Sequence, residues 1–291
     1  MSNIIRMHFY FLQNAYLQGY CALTVHTYPE GFAMLSQADI FIAVTGFISG
    51  LIKTGVGVGA GLVLLPTLAL VLPAKVALGL GAPMLVASDL MGLHYYWKQW
   101  LPRKDLMRLF LAIIPGLLLG VVLLPMIPGN AFRFGVGVFG CLYAVSMLWP
   151  QFPVAVLLKK YFGRLGERCS DSQTPSHKGA YIYGFLGGFS TVLAHAGGLV
   201  WSMYLLTAAR DRRIFVGTTV ILFFVTNIYK TVSYIYIDII SPEMLMQVVP
   251  AIPMILLGSY FGNVINKRCN QLLFRKIVLC FIFLTSISLC F

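Results

Sequence analysis

Eight apolar segments between Asp39 and the last residue constrain this sequence more than any other feature. A helix crosses the roughly 30 Å hydrocarbon core of a bilayer with about 20 residues, so segments of this length predict membrane-spanning helices. Hydrophobic residues make up 59% of the chain and charged residues only 10%, which excludes an ordinary soluble domain. The segments are residues 40–72, 76–97, 106–127, 132–158, 180–208, 215–237, 244–265 and 272–291.

The first and fifth segments are too long for a single crossing, and each is interrupted by glycines near its middle. The interruptions run from Lys53 to Gly61 and from Ala194 to Gly198. Each glycine weakens a helix by about 1 kcal/mol relative to alanine and adopts backbone angles that other residues avoid. The sequence therefore predicts that each long segment consists of two helices joined by a glycine-rich break.

The two halves of the chain share residues at a fixed offset of 138 positions. The matching pairs include Gly46 and Gly184, Gly50 and Gly188, Gly79 and Gly217, Pro115 and Pro253, and Gly120 and Gly258. Such internal similarity predicts two copies of one four-segment unit. The predicted fold class is all-α: a polytopic helical membrane protein with two inverted repeats, each with a glycine-broken re-entrant hairpin plus three spans.

The inversion is predicted from the lysines and arginines of the loops. If all eight segments span the membrane, ten basic residues lie on one side and nine on the other, which gives no orientation signal. If both glycine-broken segments enter and leave on the same side, sixteen lie on one side and three on the other, as the positive-inside rule expects. Membrane orientation then explains the net charge of +12, and no nucleic-acid partner is expected.

This interpretation divides the chain into four parts. Residues 1–37 form an N-terminal extension, within which Met34 is an alternative start of the native protein. Residues 38–158 form the first membrane repeat, residues 159–178 a basic cytoplasmic linker, and residues 179–291 the second membrane repeat. The six cysteines form no CxxC motif and no Cys/His cluster, so neither a zinc site nor a disulfide framework is implied. No metal and no cofactor are predicted.

The two glycine-rich breaks are the predicted binding site. Backbone that leaves a helix in hydrocarbon must be covered by protein or by a water-filled cavity, so the breaks are expected to face each other or a cavity. Helices that begin near Gly61 and Gly198 would point unpaired N–H groups and positive dipole ends into this space, which favours an anion. The alternative is that these glycines only permit close helix packing.

Three charged residues lie well inside the apolar segments: Lys53, Asp89 and Lys230. Such residues are costly in a span and usually face a pathway or the bundle interior. Both lysines are candidate anion ligands; the alternatives are an ion pair of Asp89 with either lysine, or Lys230 reaching the interface. His195, in the second break, and Asp89 are candidates for proton coupling. The predicted substrate-binding residues are Lys53, Thr54, Gly57, Gly59, Gly61, Gly197, Gly198, Thr218, Thr219 and Lys230.

Two glycine-rich motifs, one in each half, carry a resemblance to a known family. They are Gly46-Phe-Ile-Ser-Gly50 with Gly57-Val-Gly-Ala-Gly61 and Pro66, and Gly184-Phe-Leu-Gly-Gly188 with Gly197-Gly198. Together they resemble the TauE/SafE sulfite exporter family of membrane transporters, over about residues 39–291. The resemblance implies an inner-membrane carrier for small sulfur-containing anions. Many relatives carry a Gly-Thr-Ser-like step where this chain has Gly79-Leu-Gly81, so the hydroxyl groups expected in the first half are missing.

The predicted function is a secondary transporter and exporter of a small anion, sulfite or an organosulfonate, by alternating access at a midplane site. The expected partners are this anion and the lipid bilayer of the cell inner (cytoplasmic) membrane, and a homo-oligomer is left open. No enzyme is predicted, because the sequence has no HExxH, GxSxG or Walker-type motif. The alternatives are a passive anion channel and a non-transporting membrane scaffold.

Overall fold

Helices dominate the part of the chain that the structure, a computed structural model, describes: residues 37–56, 59–149, 177–209, 212–268 and 271–291. The helices are α1 (Gln37–Val56), α2 (Ala60–Leu68), α3 (Ala74–Tyr95), α4 (Arg103–Leu123), α5 (Gly129–Leu148), α6 (His177–Ala194), α7 (Gly197–Ala208), α8 (Arg212–Tyr236), α9 (Ile252–Arg268) and α10 (Gln271–Ile287). Short 3₁₀ turns follow α4 and precede α9. These ranges contain no strand, so the all-α class is confirmed. Most of the predicted N-terminal extension and linker lies outside the described residues.

Within the described residues, five stretches are long and apolar enough to cross a bilayer, and they confirm a polytopic helical membrane protein. They are Ala74–Tyr95, Arg103–Met126, Gly129–Leu148, Arg213–Tyr236 and Met244–Ile265. Large apolar side chains such as Leu111, Val122 and Val232 are exposed on the outside of the bundle. Single exposed apolar residues are common in soluble proteins, but the many large ones exposed on these helices are typical of a surface that faces lipid.

Both long apolar segments are broken at the predicted glycine-rich positions. Between α1 and α2, Gly59 has a φ of +98°, which a residue with a side chain rarely adopts. Between α6 and α7 the corresponding left-handed residue is His195, with a φ of +50°. The helices after the breaks have 9 and 12 residues, too few to cross a bilayer alone.

The broken helix of the first half packs along α9 of the second half. Gly46 lies against the side chain of Ile255, and Gly50 lies against the Ile255 carbonyl and Ser259, so closely that a Cβ atom at Gly50 would overlap that carbonyl. Further along, Gly262 packs on the Leu51 carbonyl. Residue numbers rise together along both helices, so α1 and α9 run parallel.

The same packing recurs with the halves exchanged, between α6 and α4. Gly188 lies on the carbonyl of Ile113, as Gly50 lies on that of Ile255, and Gly120 packs against Val192. These two helices also run parallel. In contrast, α3 and α8 run antiparallel. Gly79, near the start of α3, packs on Ile240 just after the end of α8, and Gly92, near the end of α3, packs on Val220 near the start of α8.

The contacts correct the fixed offset of 138 in α4 and α9, which are the third apolar segment of each unit. Gly116 packs on the carbonyl of Phe185 and Gly258 on that of Phe47, which makes Gly116 and Gly258 the equivalent pair. Their offset is 142, so the predicted matches of Gly120 with Gly258 and of Pro115 with Pro253 are wrong by four residues. About one helical turn is inserted in the second half, where 3₁₀ turns lie between α8 and α9.

Candidate functional site

A buried ion pair occupies the centre of the first half. The Nζ atom of Lys53, near the end of α1, lies 2.7 Å from Oδ1 of Asp89 on α3. The other carboxylate oxygen, Oδ2, accepts a hydrogen bond of 2.7 Å from the side-chain amide of Asn227 on α8. The side chains of all three residues are almost fully buried. Asp89 is thus held on both oxygens, and the network carries no net charge.

An aromatic side chain covers the lysine of this network. The ring centroid of Phe223 lies 4.0 Å from Nζ of Lys53, a distance at which the ring face attracts a cation. Trp201 of α7 packs on the same ring, with 5.1 Å between centroids, and is fully buried. The ion pair of the first half is therefore enclosed by residues of the second.

A second buried lysine occupies the centre of the second half, and its neighbours differ from those of Lys53. The Nζ atom of Lys230, on α8, lies 2.7 Å from Nδ1 of His195 and 3.2 Å from both the carbonyl and the hydroxyl oxygen of Thr191. Lys230 is fully buried. No carboxylate of the described residues lies within ion-pair distance of it. This lysine has acceptors for its three N–H groups but no counter-ion among those residues.

The hydrogen bonds of His195 fix its tautomer. Its Nε2 atom lies 3.1 Å from the carbonyl oxygen of Leu78, which can only accept, so Nε2 carries a hydrogen. Its Nδ1 atom faces the Lys230 ammonium and accepts a hydrogen bond from it. When Lys230 is protonated, the ring in this arrangement is neutral and the Lys230–His195 pair holds one net positive charge.

The two breaks lie against each other, as the sequence predicts. Gly61, in the first turn of α2, packs directly on the side chain of His195, where a Cβ atom would overlap the histidine Cβ. Gly81 of α3 lies beside the His195 ring. Gly197 begins α7 and packs on Thr191, and Gly198 beside it is buried. The first turns of α2 and α7 therefore both begin near the Lys230–His195 pair.

The predicted threonines are bonded to the backbone. Thr54 donates to the carbonyl oxygen of Ser259 at 2.6 Å. Thr219 donates to that of Phe215. Thr218 donates to Ile214 and accepts from the N–H of Leu101. Thr218 and Thr219 lie more than ten residues from Lys230, roughly 17 Å along α8. The structure therefore does not bring them near the buried lysines. Gly57 lies outside the described residues.

Two residues that bond the buried charged groups, Thr191 and Asn227, are not among the predicted site residues. Thr191 supplies two oxygen atoms to Lys230, and its sequence signal is its position 138 residues after Lys53. Asn227 bonds Asp89 at the same offset. Both are uncharged residues at positions equivalent to charged ones in the first half, so charge alone does not identify them.

The fold and its centre define a class of protein. Helices that can span a bilayer make the chain a multi-pass membrane protein, and ionisable residues inside such a bundle are typical of transport proteins. The model of the sulfite exporter TauE/SafE family matches residues 42–289, so the chain belongs to this family and the resemblance is confirmed. It is a membrane transporter.

One relative with a description is similar over most of its length. The "Probable membrane transporter protein YunE" of Bacillus subtilis (strain 168) is 20% identical over 257 residues, which cover 82% of this chain and 91% of that protein. No solved structure matches the chain. The relative's description agrees with the class and names no substrate.

Proposed function

We propose that this protein is a secondary transporter that exports a small anion, sulfite or an organosulfonate, across the cell inner membrane. The observation that carries the proposal is Lys230, a fully buried cation without a carboxylate partner among the described residues. A buried charge is stabilised when it is paired, and costs several kcal/mol when it is not. An anion from outside the chain supplies the missing partner, and the family's name indicates a sulfur oxyanion.

The proposed anion site lies where the two breaks meet. Lys230 provides the charge. The first turns of α2 and α7, at Gly61, Gly197 and Gly198, provide N–H groups and the positive ends of two helix dipoles. Because Lys230 and His195 are buried, an anion reaches them from either side of the membrane only if one half moves against the other. Lys53 is a second ligand only if its pair with Asp89 opens.

Helix directions support the proposed re-entrant hairpins. In a bilayer α4 must reverse the direction of α3, and α9 that of α8, since each is a span that follows another. The helix α9 runs parallel to α1, and α3 runs antiparallel to α8. It follows that α1 and α3 point the same way, which requires α2 to return to the side from which α1 entered. The same argument applies to α6, α7 and α8, and supports the inverted arrangement.

Labelling of single cysteines from each side of the membrane tests this topology. We expect cysteines at Lys104 and Arg213 to react from one face and a cysteine at Arg133 from the other, all three positions being exposed. If all eight segments span, Arg133 and Arg213 share a face instead. That outcome would remove the hairpins and the midplane site with them.

Ligand-induced stabilisation tests the anion site. A ligand that binds only the folded protein raises its apparent melting temperature, so we expect sulfite or methanesulfonate to stabilise the wild type. The variant Lys230→Gln is expected to lose at least tenfold in affinity and in labelled-anion flux. Lys75→Gln is the matched control, because Lys75 bonds the carbonyl of Pro125 away from the centre.

Three results would count against the proposal. Equal stabilisation of Lys230→Gln and the wild type would remove Lys230 from the site. Large unitary currents in bilayer recordings would indicate a passive channel. Neither binding nor flux with any small anion would indicate a scaffold.

A further inference from the structure

We propose that Lys230 is also the proton carrier of this transporter: it is protonated while the anion is bound and gives up that proton through His195 when the anion leaves. Each monoanion then crosses with one proton. This inference rests on the proposed function and names its coupling ion. It depends on the geometry of the Lys230–His195 pair.

The pair is a unit with one exchangeable proton. Nε2 of His195 keeps its hydrogen because it faces the carbonyl of Leu78. The remaining proton lies between two nitrogen atoms 2.7 Å apart, Nζ of Lys230 and Nδ1 of His195. The carbonyl and hydroxyl oxygens of Thr191 accept the other two ammonium N–H groups. An anion at Lys230 competes with Nδ1 for the third.

Proton release can be written from these atoms. One N–H bond of the Lys230 ammonium breaks, and its electron pair stays on Nζ. Nδ1 of His195 takes the proton, which makes the ring an imidazolium for as long as it holds it. The proton then passes to water on the open side of the membrane, and a neutral lysine and a neutral histidine remain. Anion binding reverses each step.

The neighbouring titratable groups do not serve as this carrier. Asp89, from α3, is held by both Lys53 of α1 and Asn227 of α8. The carboxylate and the Lys53 ammonium balance each other, so neither changes charge without leaving the other unpaired. Tyr234, one turn after Lys230 on α8, donates its hydroxyl hydrogen to the carbonyl of Val192. Among the described residues at the centre, only the Lys230–His195 pair carries an unbalanced charge.

Charge balance makes the cycle electrically neutral. With a monoanion bound, the positive charge of Lys230 is cancelled. With the site empty and the proton released, no charge remains on the pair. A moving half would otherwise carry a bare ammonium through a bundle in which Lys230 is fully buried, at a high cost in free energy. Transport should therefore follow a pH gradient and ignore the membrane potential.

Proteoliposomes test this coupling with methanesulfonate and isethionate as the anions. Both keep one negative charge across the pH range, so any pH effect comes from the protein. With pyranine inside the vesicles, we expect an inward anion gradient to acidify the lumen by one proton per labelled anion. A potassium diffusion potential set with valinomycin should leave the rate unchanged. Sulfite is measured in parallel as a family-type substrate.

The outcomes separate this inference from the proposed function. Sulfonate flux without proton movement, or flux that follows the membrane potential, would overturn the coupling and leave the transporter standing. No flux with the sulfonates or with sulfite would contradict the proposed function, and the inference with it. The wild-type protein decides between these results.

Arginine at position 230 gives a second test, because a guanidinium keeps its charge at every accessible pH. We expect Lys230→Arg to exchange labelled anion for unlabelled anion but to lose at least tenfold in net proton-coupled flux. Lys75→Arg, whose lysine bonds Pro125 outside the centre, should couple protons as the wild type does. Proton coupling by Lys230→Arg at the wild-type ratio would overturn the proposal.

Discussion

The two halves of this protein each bury a lysine at the centre of the bundle, but they treat its charge differently. The first half places the carboxylate of Asp89 2.7 Å from Lys53. The second half surrounds Lys230 with an imidazole nitrogen and two oxygens of Thr191. Lys53 is neutralised within the protein, whereas Lys230 has no carboxylate within ion-pair distance among the described residues. Under the proposed function, we expect Lys53 and Asp89 to hold helices together and Lys230 to contact the anion.

The difference arises from single residues at equivalent positions. Where the first half has Asp89, the second has Asn227. Asn227 is uncharged, and its side-chain amide donates a hydrogen bond to Asp89. Where the first half has Lys53, the second has Thr191. The two halves thus differ at the positions that decide local charge, while glycines that pack against carbonyls, such as Gly50 and Gly188, occur in both.

Removing the carboxylate of Asp89 should give the largest loss of stability. Asp89→Leu leaves Lys53 buried without a counter-ion, and breaking one partner of such a pair typically costs about 3–5 kcal/mol. We expect a large fall in the apparent melting temperature of the purified protein and in the yield of folded monodisperse material. The same loss is not expected from Lys75→Gln, whose side chain is only half-buried.

The double variant Lys53→Met/Asp89→Leu is the control that separates charge from fold. Replacing both partners of a buried pair by apolar side chains is often neutral, so the double variant should be more stable than Asp89→Leu alone. A double variant as unstable as the single one would show that the pair does more than balance charge. Anion binding by the double variant then decides whether Lys53 is a ligand, as the sequence predicts.

The glycines test the equivalence of the halves with a smaller effect. Alanine at Gly50 would place a Cβ atom on the carbonyl of Ile255, and alanine at Gly188 would place one on that of Ile113. Such overpacking costs about 1–3 kcal/mol, and the two variants should lose similar thermal stability. Gly135→Ala meets nothing within 4 Å in α5 and should be neutral or slightly stabilising. Unequal losses would weaken the equivalence of the two contacts.

Segment length and glycine spacing suffice to predict the class of fold and both breaks. The left-handed residues, Gly59 and His195, lie inside the predicted interruptions. The match of α4 with α9 is wrong, because an extra turn before α9 changes the offset from 138 to 142 and a fixed offset does not detect an insertion. Residue order predicts where a chain leaves the helix, but it does not reveal extra turns in a loop.

The partners of the central charges could not be predicted. From the sequence, Asp89 is able to form an ion pair with either lysine. The packing of α1 against α3 places it beside Lys53. Hydroxyl groups are equally ambiguous: Thr218 and Thr219 suggest anion donors, yet both donate to carbonyls one turn back on α8. A pattern of residue types does not record which backbone groups lie nearby.

These two adjacent threonines give the smallest and most selective prediction. The hydroxyl oxygen of Thr218 accepts the backbone N–H of Leu101 at 2.9 Å and so ties the α3–α4 loop to α8. Thr218→Val leaves that buried N–H unpaired, at a cost of about 1–3 kcal/mol. Thr219 bonds only within its own helix in the contacts described, so Thr219→Val should change the stability by no more than about 0.5 kcal/mol. Thermal unfolding of the two variants compares them directly, and a larger loss in Thr219→Val would show that its hydroxyl has a role beyond the helix.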